Sequence, residues 1–483
     1  MKRNYLISTL LMSCLICSCQ KSENKEEYSH GQENDRKVVS VIDSRSYNPD
    51  NYSRLVSNAY NTASSIMSKL RPAFTPVYDK LVEERRDKLN SLFNKEVGLD
   101  EDGNKQWKIE SILFSYKTKS AKNEDIELSG VLVFPNNTVE GIEHRLTSLS
   151  VFSHGGMVSV FDSVANMDYH SPVVFSNSAL IKPDYQAAGI STGKDPLCVV
   201  SSNVLARQMA DCILAAQELM EERGVSLADD GYTVSLGISQ GAVIPIAFAK
   251  YYETEAPASF REKVKLKATL SAEGPQDFVS LFWYYSDNPD FNPILSRSIV
   301  NSLAAVGSEQ LEGYDSKDFM ADLFHRTTVS IEGRTMTYYE AMSLYQYNVL
   351  GTERAMPNTR SLADVLAPDM LTESGQLDPT SPKTQSFMRI LSRQNDIFGW
   401  SPSLPLYIIH SPQDYSIPYQ VSYDFYRQLS AQGHNPNVHF GEINIPGLPG
   451  QFIPNLNHFI TSFMVNLKFM MGLEIEDYLD EWE

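Results

Sequence analysis

Cysteine is scarce in this chain. Of five in 483 residues, Cys14, Cys17 and Cys19 crowd the first 19 positions, leaving Cys198 and Cys212 for everything after them. So few thiols exclude a disulfide scaffold and a cysteine-built metal centre, and neither metal nor cofactor is expected. Long apolar runs are missing too. The stretch over residues 5–16 is about a dozen residues, short of the roughly 20 that span a bilayer, and no later run is long enough. Basic residues are outnumbered 60 to 41, for a net charge of −19. A phosphate backbone needs a basic face, so nucleic acid is excluded as a partner. No internal repeat is apparent. What remains, 42% hydrophobic and 21% charged residues, is the composition of an ordinary globular protein with a sizeable core.

The first residues concern compartment. Lys2 and Arg3 precede the apolar run, which ends in Ile16-Cys17-Ser18-Cys19. A basic start, an apolar stretch and small residues before a break describe an export signal. The tetrapeptide resembles a bacterial lipobox, so residues 1–18 are expected to be removed and Cys19 to be lipidated, anchoring the chain to the cell envelope. Residues 19–50 are polar and read as a flexible tether. Cys212 falls about ten residues into a predicted helix and Cys198 before it, beyond the ~7 Å reach of a disulfide. Two free thiols are expected.

Residues 51–105 read as an N-terminal helical segment. Residues 107–117 and 126–134 then alternate apolar and polar like a hairpin, with Pro135-Asn136-Asn137 closing the second strand. Short apolar strands at 149–152, 179–181, 233–236, 264–270, 406–409 and 438–443 alternate with helical segments at 203–223, 419–432 and 458–471. This is an α/β pattern: a mixed, mainly parallel sheet covered by helices on both faces. The core maps to residues 106–274 and 396–483. Between its halves lie residues 275–395, helical and aromatic-rich, expected to form a cap or lid before an acid-bearing strand.

Gly237-Ile238-Ser239-Gln240-Gly241 fits G-x-S-x-G, with a strand entering and a helix leaving. The glycines permit a tight turn that lifts Ser239 out of the sheet as a nucleophile. Pro245 in the following helix is expected to cost one backbone hydrogen bond. A serine nucleophile needs a base, and the base an orienting carboxylate. Asp414 follows the strand at 406–409, where ligands meet such sheets, with Asp277 as the fallback acid. Among nine histidines, His458 opens the terminal helix after the last strand and suits a base. His410 is expected beneath the acid loop, and His30, His144, His325, His434 and His439 fall in the tether, connections, insertion or a strand. An oxyanion hole needs backbone N–H donors, expected at Gln240 and at Gly156 in Ser153-His154-Gly155-Gly156. Met157, Trp283 and Tyr285 are the expected substrate-pocket residues, since the consecutive aromatics of 278–285 cannot all face one way.

Residues 107–471 resemble an α/β-hydrolase, particularly the lipase-like and prolyl-oligopeptidase-like lipoproteins and the secretory lipases with a cap. The matching pieces are Ser153-His154-Gly155-Gly156, Pro183-Asp184-Tyr185, Gly237 to Gly241, Asn395-Asp396 before Trp400, the stretch from His410 to Pro418, and His458. The family's Asp-Tyr-x-Gly-x-Gly-x-Ser has Ala187 in place of one glycine, and its His-Gly reads His410-Ser411. The resemblance implies a serine hydrolase of carboxylic esters acting on a small-molecule or lipid-like substrate. The alternatives are a prolyl-oligopeptidase-type peptidase, against which the short helical N-terminal region speaks, and a binding module without catalysis.

Overall fold

The computed structural model describes residues 36–70, 78–96, 106–139, 141–155, 171–288, 313–345, 362–414, 416–431 and 433–443, with positions 458 and 465. The expected export signal with Cys19, the first part of the expected tether, Gly156, Met157 and most of the expected terminal helix lie outside the described residues. Positions 458 and 465 are both helical.

The chain opens with strand β1 (Val38–Tyr47), helices α1 (Pro49–Leu70) and α2 (Tyr78–Glu96), and strands β2 (Trp107–Lys119), β3 (Asp125–Asn137), β4 (His144–Ser153) and β5 (Ser178–Pro183). It continues through α3 (Ser202–Glu222), β6 (Val225–Ile238), α4 (Val243–Thr254), α5 (Ala258–Val264) and β7 (Leu266–Ala272). The insertion carries α6 (Phe278–Asp287), α7 (Leu323–Arg326), β8 (Thr328–Ile331), β9 (Arg334–Thr337), α8 (Tyr338–Leu344) and α9 (Pro382–Gln394). Then come β10 (Leu406–His410), α10 (Tyr419–Leu429) and β11 (Val438–Glu442).

Nine strands pair in the order β1-β2-β3-β5-β4-β6-β7-β10-β11. Pairings from β5 through β11 are parallel, and those joining β1, β2, β3 and β5 are antiparallel. Strand side chains alternate between faces, so each apolar strand feeds two cores. Leu132, Leu149, Val151 and Ile181 pack with Leu205, Met209 and Ile213 of α3 and Phe248 of α4. Val131, Val133, Phe152 and Leu180 pack on the opposite face with Tyr52 and Val56 of α1, Leu89 and Phe93 of α2, and Val465. The mixed sheet with helices on both faces is the expected architecture.

Four details differ from the sequence reading. Residues 38–47, assigned to the tether, form β1. It is an edge strand, and the carboxylate of Glu218 accepts the backbone N–H groups of Lys37 and Val38. Its polar composition suits a sheet edge and hides it from periodicity arguments. Strand β3 runs through Pro135 to Asn137; Pro135 pairs only with β2, because the ladder to β5 stops at Val133, so its missing N–H breaks no inner bond. Pro245 is the third residue of α4, within the first turn, where an N–H has no intrahelical partner to lose. The insertion is not wholly helical, since β8 and β9 form an antiparallel hairpin.

The described part of the insertion is welded to the core. Phe282 of α6, Phe319 and Phe387 of α9 meet ring to ring at 5.0 and 5.4 Å, in a cluster that also holds Val243 and Ile246 of α4, Ile408 of β10, and Phe425 of α10. Backbone bonds from Gly193 N–H to Leu344 O and from Leu197 N–H to Ser343 O join the core to α8. Cys198 and Cys212 are buried free thiols, and burial pushes Cys198 up to about 12. Among the described residues no helix is long and apolar enough to cross a membrane.

Candidate active site

Strand register brings the candidate residues to one edge of the sheet. Ser153 of β4 pairs with Gly237 of β6, and Gly237 with Ser271 of β7; Ile409 of β10 pairs with Ala272. The residues that follow these ends, His154, Ser239, Glu273 and His410, therefore line the carboxyl side, where parallel α/β sheets bind ligands.

Ser239 sits in the left-handed region at φ 53° and opens a short 3-10 turn, Ser239–Ala242, that runs into α4. The turn closes only over glycines. A Cβ on Gly237 would lie 2.0 Å from Gly241 O, and one on Gly241 would lie 2.3 Å from His154 O. Ser239 is half-exposed above this knot, with Gln240 buried next to it.

His458 Nε2 lies 2.7 Å from Ser239 Oγ, and its Nδ1 lies 2.6 Å from Asp414 Oδ2. A carboxylate only accepts, so Nδ1 carries the proton and Nε2 is free to accept from the serine hydroxyl. Asp414 is buried, and its Oδ1 accepts the N–H groups of Ser416 (2.8 Å) and Ile417 (3.1 Å). Burial opposes its ionisation, but the neighbouring His458 and His410 outweigh that and hold the carboxyl well below the usual carboxylate range. Two hydrogen bonds thus join the three residues named from the sequence.

The other expectations distribute as follows. Gly155, the last described residue before Gly156 and Met157, borders Ser239: a Cβ there would lie 3.2 Å from Ser239 Cβ. Asp277, the fallback acid, instead caps α6, accepting from the Ser280 N–H and hydroxyl. Tyr285 is buried and its hydroxyl donates to Ser416 O, which ties α6 to the loop that carries Asp414. Trp283 is half-buried at the margin of the cluster that joins the insertion to the core. The run of aromatics resolves into a buried face, Phe278, Leu281, Phe282 and Tyr285, and a half-buried one, Val279, Ser280, Trp283 and Tyr284. Ala187 stands where the resemblance has glycine and takes φ 65°, a strain of about 1 kcal/mol for a residue with a Cβ.

His410 lies beneath the acid loop as expected. Unforeseen was Glu273, a fully buried carboxylate whose Oε2 is 3.5 Å from His410 Nε2 and whose Oε1 accepts the Ser411 N–H. A glutamate directly after an apolar strand was the signal available in the sequence.

His154 stacks on Tyr185 at 4.3 Å, and its Nδ1 donates to Gly155 O. Burial, with a smaller push from Lys182, lowers it to about 3. Asp184 lies 3.9 Å from its Nε2, too far for a hydrogen bond, and that carboxylate accepts from Ser129. The unfolded chain takes up this proton near pH 6.5, whereas the folded one refuses it until about 3. Stability therefore falls as pH drops through that window, by about 1.4 kcal/mol per unit. Urea unfolding of His154→Gln at pH 6 and pH 4.5 is expected to show a shallower pH dependence than the parent; equal slopes would disprove this account.

No protein-family model matches the chain, and no curated protein matches it in sequence. Solved structures do. The rice cell wall degrading esterase LipA from Xanthomonas oryzae superposes with a TM-score of 0.57 at 14% identity, covering 82% of this chain and 96% of that one. A putative hydrolase from Legionella pneumophila gives 0.53 at 15% identity, covering 76% and 90%. The fold is that of an α/β-hydrolase.

Proposed function

We propose that the chain is a serine hydrolase of carboxylic esters, tethered to the bacterial cell envelope through lipidated Cys19. The relay Ser239–His458–Asp414, with spacings of 2.7 and 2.6 Å, is the observation that carries this reading. Ser239 Oγ attacks the ester carbonyl while His458 Nε2 takes its proton. The resulting imidazolium is stabilised by Asp414 and returns the proton to the departing alcohol. The N–H groups of Gln240 and Gly156 serve the tetrahedral oxyanion, Gly155 leaving room beside the nucleophile. Water then repeats the sequence on the acyl-enzyme. Met157, Trp283 and Tyr285 are the proposed pocket wall, and a small-molecule or lipid-like ester the proposed substrate. That a solved esterase shares this fold supports the reading without assigning the acyl group.

The test is a fluorophosphonate label followed by a panel of acyl esters and a prolyl amide. Stoichiometric labelling with ester turnover well above amide turnover is expected. Faster cleavage of the amide would make the protein a peptidase, and failure to label would remove the serine mechanism.

A further inference from the structure

Under the acid loop lies a polar network that the ester mechanism does not use. Ser271 Oγ donates to the carbonyl of Ala242 at 2.8 Å, which leaves its lone pair to accept from Gln276 Nε2 at 2.9 Å. That turns Gln276 Oε1 toward the Ser422 hydroxyl, 2.5 Å away, with the Gly274 carbonyl 3.2 Å from the same oxygen. Ser422 has one proton, and both of these neighbours can only accept it. Its oxygen is then left to accept from His410 Nδ1, at 2.6 Å.

The other ring nitrogen meets acceptors as well. His410 Nε2 is 2.9 Å from the Ile417 carbonyl, 3.3 Å from Asp414 Oδ2 and 3.5 Å from Glu273 Oε2. Every partner of the ring takes a proton and none supplies one, so both nitrogens must carry hydrogen. We infer that His410 is a buried imidazolium seated between Asp414 and Glu273, and that it is a positioning residue for the acid of the active site.

Charge balance points the same way. All three side chains are buried, with one polar atom of each within 4.8 Å of the others. Two ionised carboxylates packed this closely away from water repel strongly, and one would take up a proton. A cation between them lets both stay ionised. The same spacing would suit a metal cage, but a nitrogen that must hold a proton cannot ligate. Of the three charges one negative unit survives, and Asp414 directs it at His458 Nδ1. His410 thus acts through Asp414: it keeps the carboxylate ionised and holds Oδ2 from below while Ser416 and Ile417 hold Oδ1.

The positioning role rests on reading Ser239, His458 and Asp414 as a catalytic triad; the charge state does not. Neutron diffraction from crystals of the deuterium-exchanged protein at neutral pH reads it directly. Deuterons on both Nδ1 and Nε2 of His410 are expected, and a deuteron on only one of them overturns the inference, whatever the enzyme cleaves. For the role, His410→Asn is expected to lower kcat about 10²-fold with KM little changed. Adding Glu273→Gln removes one negative charge and should bring kcat back to within about tenfold of the parent. A purely structural histidine would give no such rescue, and a double variant as slow as the single one would refute the positioning role. If His410→Asn does not fold, the deuteron count still decides the charge.

Discussion

Ser239→Ala is expected to lose ester turnover by about 10⁵-fold or more and all fluorophosphonate labelling, with its unfolding temperature unchanged. The expectation has two parts because Ser239 does two things. Its Oγ is the atom within 2.7 Å of His458, and its backbone occupies the left-handed region at φ 53°. Alanine removes the oxygen but keeps the Cβ, so chemistry disappears while the backbone strain stays. Ser239→Gly removes both. It should be as inactive as the alanine variant yet more stable by about 1 kcal/mol, since a residue without a Cβ adopts φ 53° freely. Calorimetry on the parent and the two variants separates the effects. A labelled alanine variant would move the nucleophile elsewhere, and a glycine variant no more stable than alanine would show that the turn stores no strain.

The strain at Ser239 explains why this part of the candidate site was legible in sequence. The glycines at 237 and 241 are required by contacts of 2.0 and 2.3 Å that a Cβ would make, so the local pattern and the local geometry are one constraint. Asp414 and His410 were readable for a related reason, because each sits at a fixed offset from the buried strand Leu406–His410. Elements that depend on distant partners left weaker marks. Strand β1 exists because the free edge of β2 accepts it and Glu218, 180 residues away from Val38, receives its first N–H groups. Neither partner is visible in the residues 38–47 themselves. The hairpin β8–β9 was hidden by its brevity, four residues per strand. Glu273 escaped because an isolated carboxylate after a strand normally reads as solvent-facing; only the packing of β7 beside β10 turns it toward His410.

Asp414→Asn is expected to cut kcat by about 10⁴-fold while leaving KM within a few-fold. The size follows from where the amide must point. Oδ1 of Asp414 accepts two backbone N–H groups, from Ser416 and Ile417, and the asparagine oxygen alone can replace it there. The NH2 group must then occupy the place of Oδ2, which in the parent receives His458 Nδ1 at 2.6 Å and faces His410 Nε2 at 3.3 Å. A donor now confronts donors. His458 responds by shifting its proton to Nε2, so that Nδ1 can accept from the amide, and Nε2 loses the lone pair that takes the serine proton. Substrate should still bind, because the change is confined to the hydrogen bonds among Asp414, His458 and His410. Fluorophosphonate labelling should slow in parallel with kcat, since both depend on the same proton transfer from Ser239. Kinetics of the purified variant at neutral pH decide the matter. Near-normal turnover would mean that the orienting carboxylate is a different one, with Glu273, buried beside His410, a candidate and Asp277 already engaged in capping α6.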